Sequence, residues 1–176
     1  GKIMIGGSFL TFNGIARPRV ARLNADGSLD SGFTPTTGPD GSVTAIATQL
    51  NGKVVLVGYF FFCNGITSNR VACLNADGST DPTFNRPYSL NYSGYLDDCT
   101  VFDMVALPDG KVLIGGEFTS YFGIKRNCIA RLNGDGTLDN GFDPGAGADR
   151  PVYTILPLPD GKIMIGGAFN SFGGYT

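Results

Sequence analysis

The chain has 176 residues, a formal net charge of −2, and neither histidine nor tryptophan. The small charge removes the electrostatic case for nucleic acid or an anionic membrane surface. The missing histidine excludes a Ser–His or Cys–His nucleophilic pair and any histidine-containing zinc site within it. With 27 glycines, 10 prolines and 13 phenylalanines, the composition predicts many short strands joined by tight turns. No apolar run approaches the ~20 residues that cross a bilayer.

The chain opens on Gly1-Lys2-Ile3-Met4-Ile5-Gly6-Gly7-Ser8-Phe9, and this stretch returns. Its further copies begin at Gly52-Lys53, Gly110-Lys111 and Gly161-Lys162, so the intervals are 51, 58 and 51 residues. A second landmark, Arg22-Leu23-Asn24-Ala25-Asp26-Gly27, recurs around Cys73-Leu74-Asn75 and Arg131-Leu132-Asn133 at the same intervals. A fixed period near 50 residues is the mark of a solenoid or a propeller. Because the chain begins inside a repeat, it reads as a window on a longer array.

One repeat predicts four strands. Strand A covers Val43–Leu50, Val101–Leu107 or Val152–Leu158, and a turn such as Pro108-Asp109-Gly110 reverses the chain. Strand B covers Lys53–Phe60 or Lys111–Phe118 and is followed by a glycine-containing loop of about ten residues. Strand C covers Arg70–Asn75 or Cys128–Asn133, and its Ala-Asp-Gly or Gly-Asp-Gly turn suits a bulged hairpin with positive φ at the glycine. A short strand D carries Leu29 and Phe33, with Phe84 and Phe142 as equivalents.

No segment holds the i, i+3, i+4, i+7 spacing of an amphipathic helix. Four antiparallel strands repeated in tandem form the blade of a β-propeller, so the expected fold class is all-β. A blade exposes two apolar faces and needs neighbours. The double glycines Gly6-Gly7, Gly115-Gly116 and Gly166-Gly167 let strand B approach another backbone closely. The expected organisation is a partial unit over 1–42, a unit over 43–100 with an insertion at 85–100, a unit over 101–151, and a partial unit over 152–176. That is about three blades' worth. Closure of a ring takes ~4–8 blades, so further blades are expected from a longer chain or from other copies.

The pattern D-G-K-[IV]-[ML]-I-G-G-x-F followed by [IV]-A-R-L-N-x-D-G-[ST]-L-D-x-x-F resembles the delta-60 repeat. That resemblance covers nearly the whole chain and implies a β-propeller unit found in large bacterial proteins, many secreted, and in some phage proteins. It implies no catalytic residue and no known ligand. The repeat at 43–84 departs from the pattern, with Asn51 for the turn Asp, Tyr59 for the second Gly and Cys73 for the Arg. A looser resemblance is to kelch repeats, whose tryptophan is missing here.

Four groups of residues are candidates for chemistry. Asn24–Asp30 and its copies invite a calcium reading, but an EF-hand register puts Arg22 at position 1 and Phe33 at position 12, where carboxylates belong. A structural Asx turn is the expected alternative, and no metal is assigned. Arg22 and Arg131, with Asp30, Asp81 and Asp139, recur once per repeat and read as structural pairs fixing strand D rather than a ring of charges around a channel. Cys63, Cys73, Cys99 and Cys128 lack CxxC spacing; a disulfide from Cys99 to either Cys63 or Cys128 is open beside four free thiols.

The insertion is the best candidate for something specific. Tyr88, Tyr92 and Tyr95, with Asp97 and Asp98, are placed there as a partner or ligand site, because tyrosine is large, amphipathic and low in rotamer entropy. The remaining loop aromatics, Phe12, Phe61, Phe62, Tyr121 and Phe172, are read as packing residues at recurring positions. The expected function is a non-enzymatic recognition or scaffold module, extracellular, on a cell surface or on a virion. It would bind a protein or glycan partner and need no cofactor. A purely structural assembly component is the first alternative. A carbohydrate-active propeller enzyme using Asp97 and Asp98 is the second, disfavoured because adjacent carboxylates diverge.

Overall fold

The computed structural model describes residues 1–84 and 100–176. Strands form where Val, Ile and Leu cluster, and glycine turns end them. In chain order they are β1 (Ile3–Gly6), β2 (Thr11–Phe12), β3 (Ile15–Ala16), β4 (Val20–Leu23), β5 (Val43–Thr48), β6 (Val54–Gly58), β7 (Phe62–Cys63), β8 (Ile66–Thr67) and β9 (Val71–Leu74). After these come β10 (Thr100–Ala106), β11 (Val112–Glu117), β12 (Ser120–Tyr121), β13 (Ile124–Lys125), β14 (Ile129–Leu132), β15 (Val152–Pro157) and β16 (Ile163–Gly167). All pairing is antiparallel, and the described residues contain no helix.

The chain divides into two compact units, Gly1–Pro87 and Tyr88–Thr176. In the first unit, β1 pairs with β4, and β5-β6-β9 form a three-stranded sheet. Val20, Phe33, Val43, Leu56, Phe60 and Leu74 fill its core, with Met4 and Ile46 packed against it. In the second unit, β10-β11-β14 form a sheet and β15 pairs with β16. Leu113, Cys128, Ala148, Val152 and Ile155 form that core, covered by Val105, Phe142, Ile163, Ile165 and Phe169.

The expected strands A, B and C are present, most of them trimmed by a residue or two at one or both ends, while β10 begins one residue early, at Thr100. The expected strand D is not a strand. After the Asx turn the chain makes single bridges, Leu23 to Leu29, Leu74 to Thr80 and Leu132 to Leu138, and then turns away at an aspartate. The turn glycines Gly27, Gly78 and Gly136 have φ of 83°, 92° and 82°, a conformation that favours glycine.

The long loop between strands B and C carries structure of its own. It folds as two-residue-per-arm hairpins, β2-β3, β7-β8 and β12-β13, turning at Asn13-Gly14, Asn64-Gly65 and Phe122-Gly123. Both turn residues have positive φ in every case, which is the type I′ geometry of tight hairpins. Asparagine tolerates that conformation and phenylalanine does not. Phe122→Asn is therefore expected to raise stability by about 1 kcal/mol, because the left-handed strain relieved exceeds what the exposed edge-on ring contact with Tyr121 returns. Urea denaturation of both proteins measures it.

The strand register also corrects one alignment. Gly58 lies opposite Val43 as Gly116 lies opposite Val101 and Gly167 opposite Val152. Gly58 is thus the second glycine, and Val57, not Tyr59, marks the departure of this repeat: it stands where Gly6, Gly115 and Gly166 stand elsewhere. The two glycines have different jobs. A Cβ on Gly6 would lie 2.6–2.7 Å from Ile46 and Val43 side-chain atoms, and one on Gly115 would lie 2.9 Å from Ile155 and Val152, so the first glycine admits the next sheet. A Cβ on Gly58, Gly116 or Gly167 would lie 2.0, 2.0 or 2.1 Å from the carbonyl oxygen of Ser42, Thr100 or Pro151. Strand A bulges at that point, between Val43 and Ala45, Val101 and Asp103, or Val152 and Thr154, and only glycine fits against the bulge.

Candidate functional site

Each aspartate that ends a repeat is a nearly buried hub. The Asp30 carboxylate takes Arg22 Nε at 2.7 Å and Lys2 Nζ at 3.1 Å, and accepts the Gly32 N–H at 3.0 Å. Asp139 takes Arg131 Nε at 2.7 Å, Lys111 Nζ at 2.9 Å and the Gly141 N–H at 2.9 Å. Asp81 takes Lys53 Nζ at 2.6 Å and both the backbone N–H and hydroxyl of Thr83, while Cys73 occupies the place of the arginine. The guanidinium of Arg22 also lies over the Phe33 ring, and that of Arg131 over Phe142.

These contacts set the titration. The Gly32 amide, then Arg22, hold the Asp30 carboxyl down at about 2. Lys111, then the Gly141 amide and Arg131, hold Asp139 well below the carboxylate range. Burial pushes Asp81 up, but hydrogen bonds from Lys53 and Thr83 outweigh it and the net direction is down. Lys2, Lys53 and Lys111 belong to the Gly-Lys landmark that sets the repeat period, and the hub is the structural reason for their recurrence.

The Asn-x-Asp-Gly turns close on themselves. Asp26 Oδ1 accepts from the Ser28 amide and hydroxyl, Asp77 from those of Ser79, and Asp135 from those of Thr137. Asn24, Asn75 and Asn133 each donate to the same hydroxyls. These contacts are the structural Asx turn; among the described residues no three acidic or cysteine side chains gather as a cation site.

The hairpin rims sort the aromatics differently from the sequence reading. The second hairpin residue is Phe12, Cys63, Tyr121 or Phe172: Cys63 and Tyr121 are buried, Phe12 and Phe172 are half-buried, and Tyr121 donates its hydroxyl to the Gly136 carbonyl at 2.8 Å. Phe61 and Phe62 do not occupy that position. Their counterparts are Leu10 and Thr11, Thr119 and Ser120, and Asn170 and Ser171. They are 50% and 47% exposed, beside Tyr59 at 52%. They do not recur and are not packing residues. Arg70 Cζ lies 5.9 Å from the Tyr59 ring centre and 5.8 Å from that of Phe61, so the guanidinium is within cation–π reach of two half-exposed rings. Asp40 holds the loop: its Oδ1 accepts the Phe61 and Phe62 N–H groups, both at 2.9 Å.

Against this geometry, comparison with known proteins settles the family. A model described as a domain of unknown function (DUF5122), a β-propeller, matches residues 1–33, 49–84, 107–142 and 158–176. The chain belongs to this family. The matched segments of the DUF5122 repeat hold strands B and C, the Asx turn and the aspartate hub. The stretches between them carry strand A. No curated protein matches. A solved structure, a protein of unknown function from Bacteroides caccae at 1.35 Å resolution, is similar at 14% identity and a TM-score of 0.45 over 93% of this chain and 49% of that one. The chain thus spans about half the length of that protein.

Within the DUF5122 fold the remaining candidates fall as follows. Tyr88, Tyr92, Tyr95, Asp97, Asp98 and Cys99 lie outside the described residues. In sequence, Asp98 stands three residues before Val101, as Asp40 stands before Val43 and Asp149 before Val152. Asp149 accepts the Asn170 and Ser171 amides as Asp40 accepts those of Phe61 and Phe62, so these two aspartates hold their rim loops alike. Cys63 and Cys73 are free thiols, and burial above all pushes both up to about 12, which makes them poor nucleophiles. Cys128 is buried at the start of β14.

Proposed function

We propose that the chain is a non-enzymatic recognition or scaffold module that meets a glycan or protein partner through its rim loops, outside the cell, on a cell surface or on a virion. The delta-60 reading of its repeats belongs to this proposal. One observation carries it: Tyr59, Phe61 and Phe62 are half-exposed at positions where the other repeats hold no aromatic residue. What the fold requires is visible in what recurs, and these rings do not recur. Tyrosine, aromatic rings and arginine are the residue types that dominate binding energy at interfaces. The reading without catalysis rests on carboxylates already committed to backbone and cations: Asp103, for example, accepts the Met104 amide at 2.8 Å and the Ile155 amide at 2.7 Å.

The other repeats supply the test. Tyr59→Ala, Phe61→Thr and Phe62→Ser together install residues found at the matching positions 168, 119 and 120. The triple variant is expected to keep the melting temperature within a few degrees and to lose at least tenfold in affinity for whatever partner a glycan and protein screen of the whole chain returns, since burial of one hot-spot ring is worth about 2 kcal/mol. A partner held equally well by the variant would place recognition elsewhere. Loss of self-assembly with no partner lost would favour the purely structural role.

A further inference from the structure

We propose that a second recognition site, apart from the rim, lies on the paired rings of Phe102 and Tyr153 and takes the C–H face of a neutral pyranose. It goes beyond the rim reading, because it uses none of the rim residues. Both rings stand at the bulge of a strand A: Phe102 between Val101 and Asp103 in β10, Tyr153 between Val152 and Thr154 in β15. A bulge re-aims the side chain it carries. These two are 37% and 52% exposed, and their ring centres lie 5.2 Å apart, edge to face at 77°. The fold does not demand rings there. The same bulge in β5 carries Thr44 in the same register, with its hydroxyl donating to the Val57 carbonyl at 3.2 Å.

The ring pair is braced from below. Asp103 accepts the Met104 amide of its own strand at 2.8 Å and the Ile155 amide of β15 at 2.7 Å, so one carboxylate ties the two ring-bearing strands together. Sites held by strands keep their geometry better than sites on loops. The same bonds narrow the ligand class. The Ile155 N–H is taken by Asp103, which interrupts the row of donors that an added peptide strand would use along β15. Asp103 is committed to amides, and the flanking charges are one of each sign: Glu117 opposite Thr100, and Arg150 three residues before Tyr153. Charge therefore selects neither an anion nor a cation. A flat apolar surface remains, beside a phenolic hydroxyl and with Thr154 exposed next to it. A sugar ring presents the matching pair, an apolar C–H face and hydroxyls at its edge.

The experiment titrates the whole chain by calorimetry with neutral cello-, manno- and malto-hexaoses, with oligogalacturonate, and with an oligoproline peptide. The expected result is saturable binding of at least one neutral hexaose, with oligogalacturonate bound no tighter. Phe102→Thr with Tyr153→Thr, which copies Thr44, should weaken that binding about tenfold with an unchanged circular dichroism spectrum. Tyr153→Phe keeps the ring and should lose less. The Tyr59/Phe61/Phe62 triple variant should bind the hexaose as the wild type does, which separates this site from the rim. Binding lost in the triple variant and kept in the Phe102/Tyr153 variant would overturn the inference and put the saccharide on the rim. Tighter binding of oligogalacturonate or oligoproline through the two rings would overturn the neutral-saccharide class. Absence of binding to every hexaose, or a Phe102/Tyr153 variant that is less stable but binds unchanged, would overturn the inference, while the screen with the triple variant still decides the rim reading.

Discussion

Gly116→Ala is expected to cost about 3 kcal/mol, and Gly115→Ala distinctly less, although the two residues are neighbours in one strand. The added Cβ at 116 would meet the Thr100 carbonyl oxygen at 2.0 Å and the Val101 Cα at 2.8 Å. Backbone atoms in a paired strand cannot rotate aside, so either the β10 bulge or its pairing with β11 must give. Overpacking of a tight site costs typically 1–3 kcal/mol and sometimes more, and a backbone obstruction belongs at the upper end. The Cβ at 115 would meet only the ends of Ile155 and Val152 at 2.9 Å, and side-chain ends can change rotamer. The protein already carries the comparison, since Val57 occupies the Gly115 position in its own repeat and is fully buried. Chemical denaturation of the two single variants measures the difference. Equal losses would mean that sheet-on-sheet packing, not the strand A bulge, is what selects the double glycine.

That contrast shows where sequence reading reached and where it stopped. Period, strand order and the bulged Asx turns were legible because each rests on local chemistry: Asp26 and Gly27 act on residues within four positions of themselves. The double glycine was legible as a close approach, but not as two different approaches, because each glycine meets a different partner that only folding brings near, Ile46 beside Gly6 and Ser42 beside Gly58. Strand D was misread for a related reason. Leu29 and Phe33 have strand composition, yet Asp30 takes the amide of Gly32 and its own N–H goes to the Arg22 carbonyl, which ends pairing after one bridge. The short hairpins carry a sequence signal of their own, since Asn13-Gly14 and Asn64-Gly65 are the favoured type I′ dipeptides. The rim aromatics were grouped by residue type when the register places Phe12, and not Phe61 or Phe62, in line with Tyr121 and Phe172. A one-residue shift in a strand moves a side chain to the opposite face, which is why counting from the Asn-Gly turn separates packing rings from exposed ones.

Acid should unfold this protein through its aspartate hubs, and the sign follows from the direction of the shifts. Asp30 titrates at about 2 in the folded chain against an ordinary 3.8, and Asp139 is lowered as well. A carboxyl depressed by folding stabilises the folded state fully above its unfolded value and loses that contribution as pH falls from about 4 through the folded value. Urea midpoints are therefore expected to be flat from about pH 7 to 5 and to drop steeply below pH 4. Asp139→Asn removes one hub. Its amide cannot pair with Lys111 and Arg131 as ions, so the variant should start lower at neutral pH and fall less steeply in acid, with the gap between the two curves closing as pH falls through the lowered Asp139 value. Asp81 gives an internal comparison, because Cys73 stands where the other hubs have an arginine and Lys53 is its cationic partner among the described residues. Its side chain is nearly inaccessible, and Asp81→Ala would strand the Lys53 ammonium and the Thr83 amide and hydroxyl at a loss of about 2 kcal/mol. Parallel acid curves for the wild type and Asp139→Asn would show that the hubs do not govern acid stability, and that Arg22 and Arg131 serve packing over Phe33 and Phe142 instead.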